Sequence, residues 1–209
     1  MDLTEIPETQ YDTLLADLSP HRREHSVSVA NLASRLCRRF GVEASKGRQA
    51  GLAHDSMKEK ELSEQWRLAK SGASAMDDPL VSQAVREFEQ GDGFGSKMIH
   101  GPAAAGYLYL TFGLHDREIL EAVALHSSAF REMGTLSKIL YVADKLEPLR
   151  EYVGPQDAEA LDTQDLDTLF HYAVGHVIEY LSGKTYRIAQ STLDLYNSLN
   201  AEKTGKAQK

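Results

Sequence analysis

From Arg22 to Phe40, apolar side chains return at three- and four-residue steps through Val29, Leu32, Leu36 and Phe40, and His25 lies on the same stripe. That period is helical, so the stretch must form a helix that turns an imidazole towards whatever its apolar face packs against. Gly41 closes it in the usual C-terminal manner. The same period recurs down the chain. Ile119, Val123 and His126 share a face over residues 116–126. Leu136, Leu140 and Asp144 do so behind Thr135, a candidate N-cap. Leu166, Phe170, Val174, Val177 and Leu181 line a helix over 163–181 that Gly183 stops. Residues 43–53 form a helix that delivers His54-Asp55 at its end. Residues 60–70 and 79–88 are shorter helical patches separated by a loop at Ser71–Ala75, and 191–199 is the last helix. No segment alternates as a strand would. The fold predicted is all-α, a single helical bundle.

The run from Met98 to His115 holds no Lys, Arg, Asp or Glu, yet it falls short of the ~20 apolar residues a membrane span needs. It reads as a buried helix opened by His100-Gly-Pro102, with proline in the tolerated first turn. Glycines at 91, 93 and 95 lack the strand and spacing of a dinucleotide-type phosphate cradle and read as a mobile loop. The bundle is expected over residues 20–199, with an N-terminal extension over 1–19 and a polar, Lys-rich, disordered tail over 200–209.

With 209 residues, 42% of them hydrophobic, the chain can bury one core. A net charge of −8 argues against binding a nucleic-acid backbone, which calls for a basic face. A small polyanion remains a fitting ligand where metals or placed cations supply local positive charge. The single cysteine, Cys37, excludes an internal disulfide and fits a reducing compartment, so a cytoplasmic setting is expected. The acidic N-terminus has no secretory-signal pattern, and no membrane association is expected.

Six residues carry the candidate chemistry: His25, His54, Asp55, His100, His126 and Asp144. Each sits on or at the end of a helix, on or beside its apolar face. One histidine on a stripe is more often a hydrogen-bonded core residue than a ligand, and Asp144 has Lys145 and Lys138 as ordinary partners. An aspartate on an apolar face is costly unless paired or bound to a cation, and six such placements together favour metal. Imidazole and carboxylate suit Fe, Mn, Zn, Co or Ni. Four histidines and two aspartates exceed what one ion takes while keeping positions open. Two ions sharing Asp55 account for all six, with His25, His54 and Asp144 on one and His100 and His126 on the other. Ions ~3.5–4 Å apart clamp the attacking and leaving oxygens of a phosphoryl transfer.

Arg22 lies three residues before His25 and Lys58 three after Asp55, beside them on a helix surface, and Arg150 follows Asp144. A cation next to a metal site grips phosphate, Arg as a planar fork and Lys as a point charge. The competing reading is a solvated charge or, for Lys58, a pair with Glu59 or Glu61. His21, His115, His171 and His176 have no partner pattern and read as structural.

These residues resemble the HD-domain superfamily of metal-dependent phosphohydrolases, whose signature is a His, a His-Asp pair and a distal Asp, here His25, His54-Asp55 and Asp144. More narrowly, the chain is similar to the bacterial YqeK-type symmetrical bis(5′-nucleosyl)-tetraphosphatases. The matching stretches surround Arg22–Val27, Ala50–Lys58, Ile99–Pro102, Ile119–Ser127 and Leu140–Arg150. Where those proteins follow the His126 position with two Thr and a Gly, this chain has Ser127-Ser128-Ala129, keeping the hydroxyls and losing the glycine. The resemblance implies a single HD-domain bundle around a dinuclear metal site. It implies two divalent or trivalent ions, iron by preference with manganese or cobalt as alternatives. The implied reaction is hydrolysis of diadenosine tetraphosphate to two ADP by a metal-bridging hydroxide. Asp55 and Lys58 would be catalytic, and Arg22, Lys58, Ser127, Ser128 and Arg150 would hold substrate. The partner expected is a nucleotide, and a homodimer is left open. Competing readings are another HD nucleotidase, which would manage with one ion, and a non-catalytic nucleotide-sensing module.

Overall fold

The computed structural model describes residues 5–91, 95–184 and 186–207, and no β-strand occurs among them. The elements are α1 (Tyr11–Leu15), α2 (Pro20–Arg39), α3 (Ala44–Ala53), α4 (Leu62–Met76), α5 (Pro79–Gln90), α6 (His100–Tyr107), α7 (Arg117–Leu125), α8 (Thr135–Leu146), α9 (Pro155–Thr163), α10 (Leu166–Gly183) and α11 (Gln190–Ala207). The predicted all-α bundle is what forms. The stripe on α2 buries Val29, Leu32 and Leu36 against α3 and α8. α7 packs on α3, α6 and α8, while α10 covers α8 and carries α11.

Two backbone approaches bring the helices closer than side chains would normally permit. A Cβ on Gly51 of α3 would stand 2.4 Å from the Ala30 Cα of α2. One on Gly72 of α4 would stand 2.3 Å from the Gly106 Cα of α6. The second contact corrects the sequence reading. Ser71–Ala75, expected as a loop, lies inside α4, because its small residues form the face on which α6 rests. Small residues between charged flanks look like a linker, whereas here they permit a close helix crossing.

Other boundaries also moved. The apolar run from Met98 to His115 is not one helix: α6 gives way to a π-turn at Leu108–Phe112, ended by Gly113 at φ 69°. Thr135 is the first residue of α8 rather than its cap. The N-cap is Gly134, whose N–H donates to Glu121 Oε1 at 2.8 Å. α9 has no apolar stripe to announce it and starts on Pro155, with Asp157 accepting the Gly154 N–H at 2.7 Å. Ahead of α2, Ile6, Leu14 and Leu18 are buried, and the Ile6 N–H donates to Gln49 Oε1 at 2.7 Å. α11 continues to Ala207, so the stretch expected as disordered from residue 200 is helical that far. Of the glycine-rich loop, residues 92–94 lie outside the described residues. Among the described residues, no helix is long and apolar enough to cross a membrane.

Candidate metal centre

Helix ends converge on one point. His54 is the C-cap of α3 and Asp55 follows it, His126 is the C-cap of α7, and His100 opens α6. His25 comes from the second turn of α2 and Asp144 from the last turn of α8. All six side chains are buried.

The last carbonyls of a helix have no partner within it. At α3 and α7 the same device satisfies one of them. The carbonyl of Gly51 accepts from His54 Nδ1 at 2.7 Å, and that of Val123 from His126 Nδ1 at 2.8 Å. A carbonyl can only accept, so both Nδ1 atoms carry the proton, and in the neutral ring Nε2 presents a bare lone pair. His25 is aimed differently. Its Nδ1 lies 3.0 Å from Glu147 Oε1, a carboxylate that also accepts the Ser28 hydroxyl through Oε2 at 2.7 Å. Carboxylate–histidine pairs of this kind orient metal-ligating rings.

The aimed atoms then face one another. His54 Nε2 is 3.2 Å from His25 Nε2, which is 3.1 Å from Asp144 Oδ1. His100 Nε2 is 3.0 Å from His126 Nε2 and 3.1 Å from Asp55 Oδ1. The other Asp55 oxygen, Oδ2, is 3.8 Å from His54 Nε2, so this carboxylate stands between the two groups. Ligand atoms of His25, His54 and Asp144 all lie within 4.8 Å of one another, as do those of His54, Asp55 and His126. A cation seated among these atoms would draw their lone pairs together, and nitrogen-and-oxygen donor sets suit divalent transition metals. The donor set therefore fits metal.

Burial drives the His54 pKa down to about 4, and burial with Lys58 nearby drives that of His100 down to about 3. Both rings stay neutral, as ligands must. Burial opposes the charge on His25 too, but hydrogen bonding to Asp144 and Glu147 outweighs it and lifts this pKa to about 9 in the ion-free protein, so an ion bound there would displace that proton. Burial opposes ionisation of Asp55 and Asp144 as well. The three surrounding histidines hold Asp55 well below the usual carboxylate range, and Lys145 with Arg150 does the same for Asp144.

The centre opens into a cavity of about 670 Å3 lined by six cations, Arg22, Lys58, Lys97, Lys145, Arg150 and Arg187, against two carboxylates, Asp55 and Asp144. In a chain of net charge −8 that lining concentrates positive charge at one place. Arg22 Nη1 lies 2.8 Å from Asp55 Oδ2. Arg150 Nη2 and Lys145 Nζ each stand 2.6 Å from Asp144, on Oδ1 and Oδ2 respectively. Lys58 pairs with neither Glu59 nor Glu61: its Nζ lies 3.1 Å from both ring nitrogens of His100 and 3.3 Å from the Lys97 carbonyl. Ser127 lines the cavity and donates to the Met98 carbonyl at 3.2 Å. Ser128 is buried and its hydroxyl finds no partner among the described residues.

Sequence reasoning named Lys145 only as an ordinary partner of Asp144 and assigned no role to Glu147, Lys97 or the cavity tyrosines. Glu147 lies three residues past Asp144, within reach of the same helix end, and that spacing was its only signal. Two of the histidines read as structural lie elsewhere: His171 faces Asn200, and His176 faces the buried Asp157.

The family model described as HD domain matches residues 22–149, more than half of the chain. A protein from Halalkalibacterium halodurans named bis(5′-nucleosyl)-tetraphosphatase, symmetrical, is 26% identical over 88% of this chain and 92% of its own length. A protein of the same name from Staphylococcus aureus is 27% identical over 88% and 89%. A Clostridium acetobutylicum structure, described as a predicted HD superfamily hydrolase involved in NAD metabolism, superposes with a TM-score of 0.76 at 24% identity. It covers 95% of this chain and 99% of its own, and it establishes the likeness of fold. With this match, and with His25, His54-Asp55 and Asp144 brought together, the chain belongs to the HD domain family.

Proposed function

We propose that this protein is a metal-dependent symmetrical bis(5′-nucleosyl)-tetraphosphatase that cleaves diadenosine tetraphosphate into two ADP. The observation that carries the reading is the buried set of six imidazole and carboxylate ligands opening onto a cavity rich in cations. The names borne by its relatives point to the same substrate. His25, His54 and Asp144 would hold one ion and His100 and His126 the second, with Asp55 placed to serve both. Iron is the metal this reading favours, with manganese or cobalt as alternatives. Such ions, when bound, supply activated water and neutralise phosphate charge.

The chain's own residues do the rest. Arg150 keeps its planar fork towards the centre because its Nε donates to the Asp144 carbonyl at 3.0 Å. It and Lys145 thus stand where phosphate oxygens arrive, with Arg22 and Lys58 on the Asp55 side. Ser127 offers a hydroxyl at the cavity wall. In the reaction a water oxygen bonds to one of the two central phosphorus atoms, its protons passing to solvent, and the bond from that phosphorus to the central bridging oxygen breaks. The bridging oxygen leaves with the other half, and Lys58 and Arg150 balance the charge that develops on the separating diphosphates. We place the enzyme in the cytoplasm, in keeping with its one buried cysteine.

Incubation of metal-loaded protein with diadenosine tetraphosphate, followed by chromatography, is expected to give ADP alone. AMP with ATP would mean asymmetric cleavage, and unchanged substrate would favour a nucleotide receptor. Elemental analysis is expected to find two ions per chain, and chelation to abolish turnover. Glu147→Gln is expected to weaken metal binding about 10- to 100-fold by loosening His25, while leaving the fold intact. Titration of metal into the variant measures this, and an unchanged affinity would remove Glu147 from the site's support.

A further inference from the structure

The cavity also has an aromatic lining, formed by Tyr152, Tyr180 and Tyr186 with the aliphatic Leu181 and Ile188. Tyr152 and Tyr180 lie against one another, with ring centroids 4.7 Å apart, and the Lys184 ammonium caps Tyr180 at 4.7 Å from its centroid. Tyr186 is different. It belongs to the connection between α10 and α11 and is 56% exposed, a large aromatic ring at the cavity wall. Its backbone N–H is fixed on the Leu181 carbonyl at 3.0 Å. The start of α11 beyond it is pinned twice. The Ser191 N–H donates to Glu87 Oε1 at 3.1 Å, and Thr192 Oγ1 accepts the Ala129 N–H at 2.9 Å. The second of these bonds joins the start of α11 to the loop that follows His126.

Lys97 reaches over from the opposite wall, its Nζ 5.4 Å from the Tyr186 centroid, while its carbonyl accepts from Lys58 beside the metal centre. Lys97 by itself therefore links Lys58 to the exposed ring. An exposed, anchored aromatic face flanked by Lys97 and Arg187 is the arrangement that stacks a nucleobase while its phosphates run towards positive charge.

We propose that Tyr186 is the stacking platform for one nucleobase of the substrate. It thereby makes the site selective for a polyphosphate that carries a nucleoside over one that does not. This rests on the nucleotide-hydrolase reading above and extends it to a specificity-determining residue. The ring, rather than the hydroxyl, is the working part. Tyr186→Phe therefore keeps the function and Tyr186→Ala removes it.

The test compares wild type, Tyr186→Ala and Tyr186→Phe as metal-loaded full-length protein, with diadenosine tetraphosphate and base-free inorganic tetraphosphate as substrates. For Tyr186→Ala, KM for the dinucleotide is expected to rise about tenfold with kcat little changed, from the loss of one stacked base. The constants for inorganic tetraphosphate are expected to stay within about twofold, and Tyr186→Phe to match wild type. An unchanged KM, or an equal loss on both substrates, would overturn the proposal. Should wild type cleave no dinucleotide, the hydrolase reading fails, and Tyr186 is judged by equilibrium binding of ADP against pyrophosphate. Weaker ADP binding in the alanine variant with pyrophosphate unaffected supports the platform, and parallel behaviour refutes it.

Discussion

Asp55→Asn is expected to lower kcat for diadenosine tetraphosphate by about 10^3-fold or more while leaving the helical content unchanged. The carboxylate has one oxygen 3.1 Å from His100 Nε2 and the other 3.8 Å from His54 Nε2, and it is the only acidic group touching both halves of the ligand set among the described residues. An amide keeps the shape and loses the negative charge. Lewis-acid stabilisation of a phosphoryl transition state is worth several kcal/mol, and each 1.36 kcal/mol is tenfold in rate, so loss of a shared ligand reaches about 10^3. Elemental analysis should show fewer than two ions per chain in the same preparation. A variant that kept both ions and stayed within tenfold of wild type would take Asp55 out of the centre. Arg22, left without its 2.8 Å partner, gives no compensating charge at that point.

The second large effect concerns the scaffold. Gly51→Ala is expected to destabilise the fold by about 2 kcal/mol, even though alanine favours a helix interior over glycine by about 1 kcal/mol. The new Cβ would meet the Ala30 Cα at 2.4 Å and the Ala30 nitrogen at 2.6 Å. Both are main-chain atoms, so α2 and α3 must move apart. α2 carries His25, and α3 ends in His54 and Asp55, so the same shift pulls the ligand set open. Urea unfolding followed by circular dichroism measures the stability, and metal titration the second consequence. Stability at or above that of the parent would show that the two helices do not cross so closely.

The sequence disclosed the elements whose apolar face repeats. α2, α7, α8 and α10 announced themselves through Leu32 and Leu36, Ile119 and Val123, Leu136 and Leu140, and Leu166 and Phe170. The all-α reading followed from them. It failed where burial is achieved without large apolar residues. Gly72 and Ala73 looked like a linker because a close backbone contact leaves no stripe, and α9 stands on a proline and an aspartate cap. The six candidate ligands were legible since each is an imidazole or a carboxylate at the end or on the inner face of a recognisable helix. Their supports were not. Glu147 acts through a distance to His25 that depends on how α2 and α8 dock, and its Ser28 partner is 119 residues away. Tyr186 on the cavity wall depends on the connection after α10, a polar stretch with no periodicity to read.

The carbonyls of Gly51 and Val123 fix the aim of His54 and His126 from only three positions back. Ring orientation is thus settled inside a single helical turn, and the tertiary structure has only to bring two finished ends into register. Substitutions on the outward faces of α3 and α7 can then raise or lower heat resistance without redirecting either nitrogen. Those faces are where the protein tolerates engineering for robustness while its chemistry stays as it is.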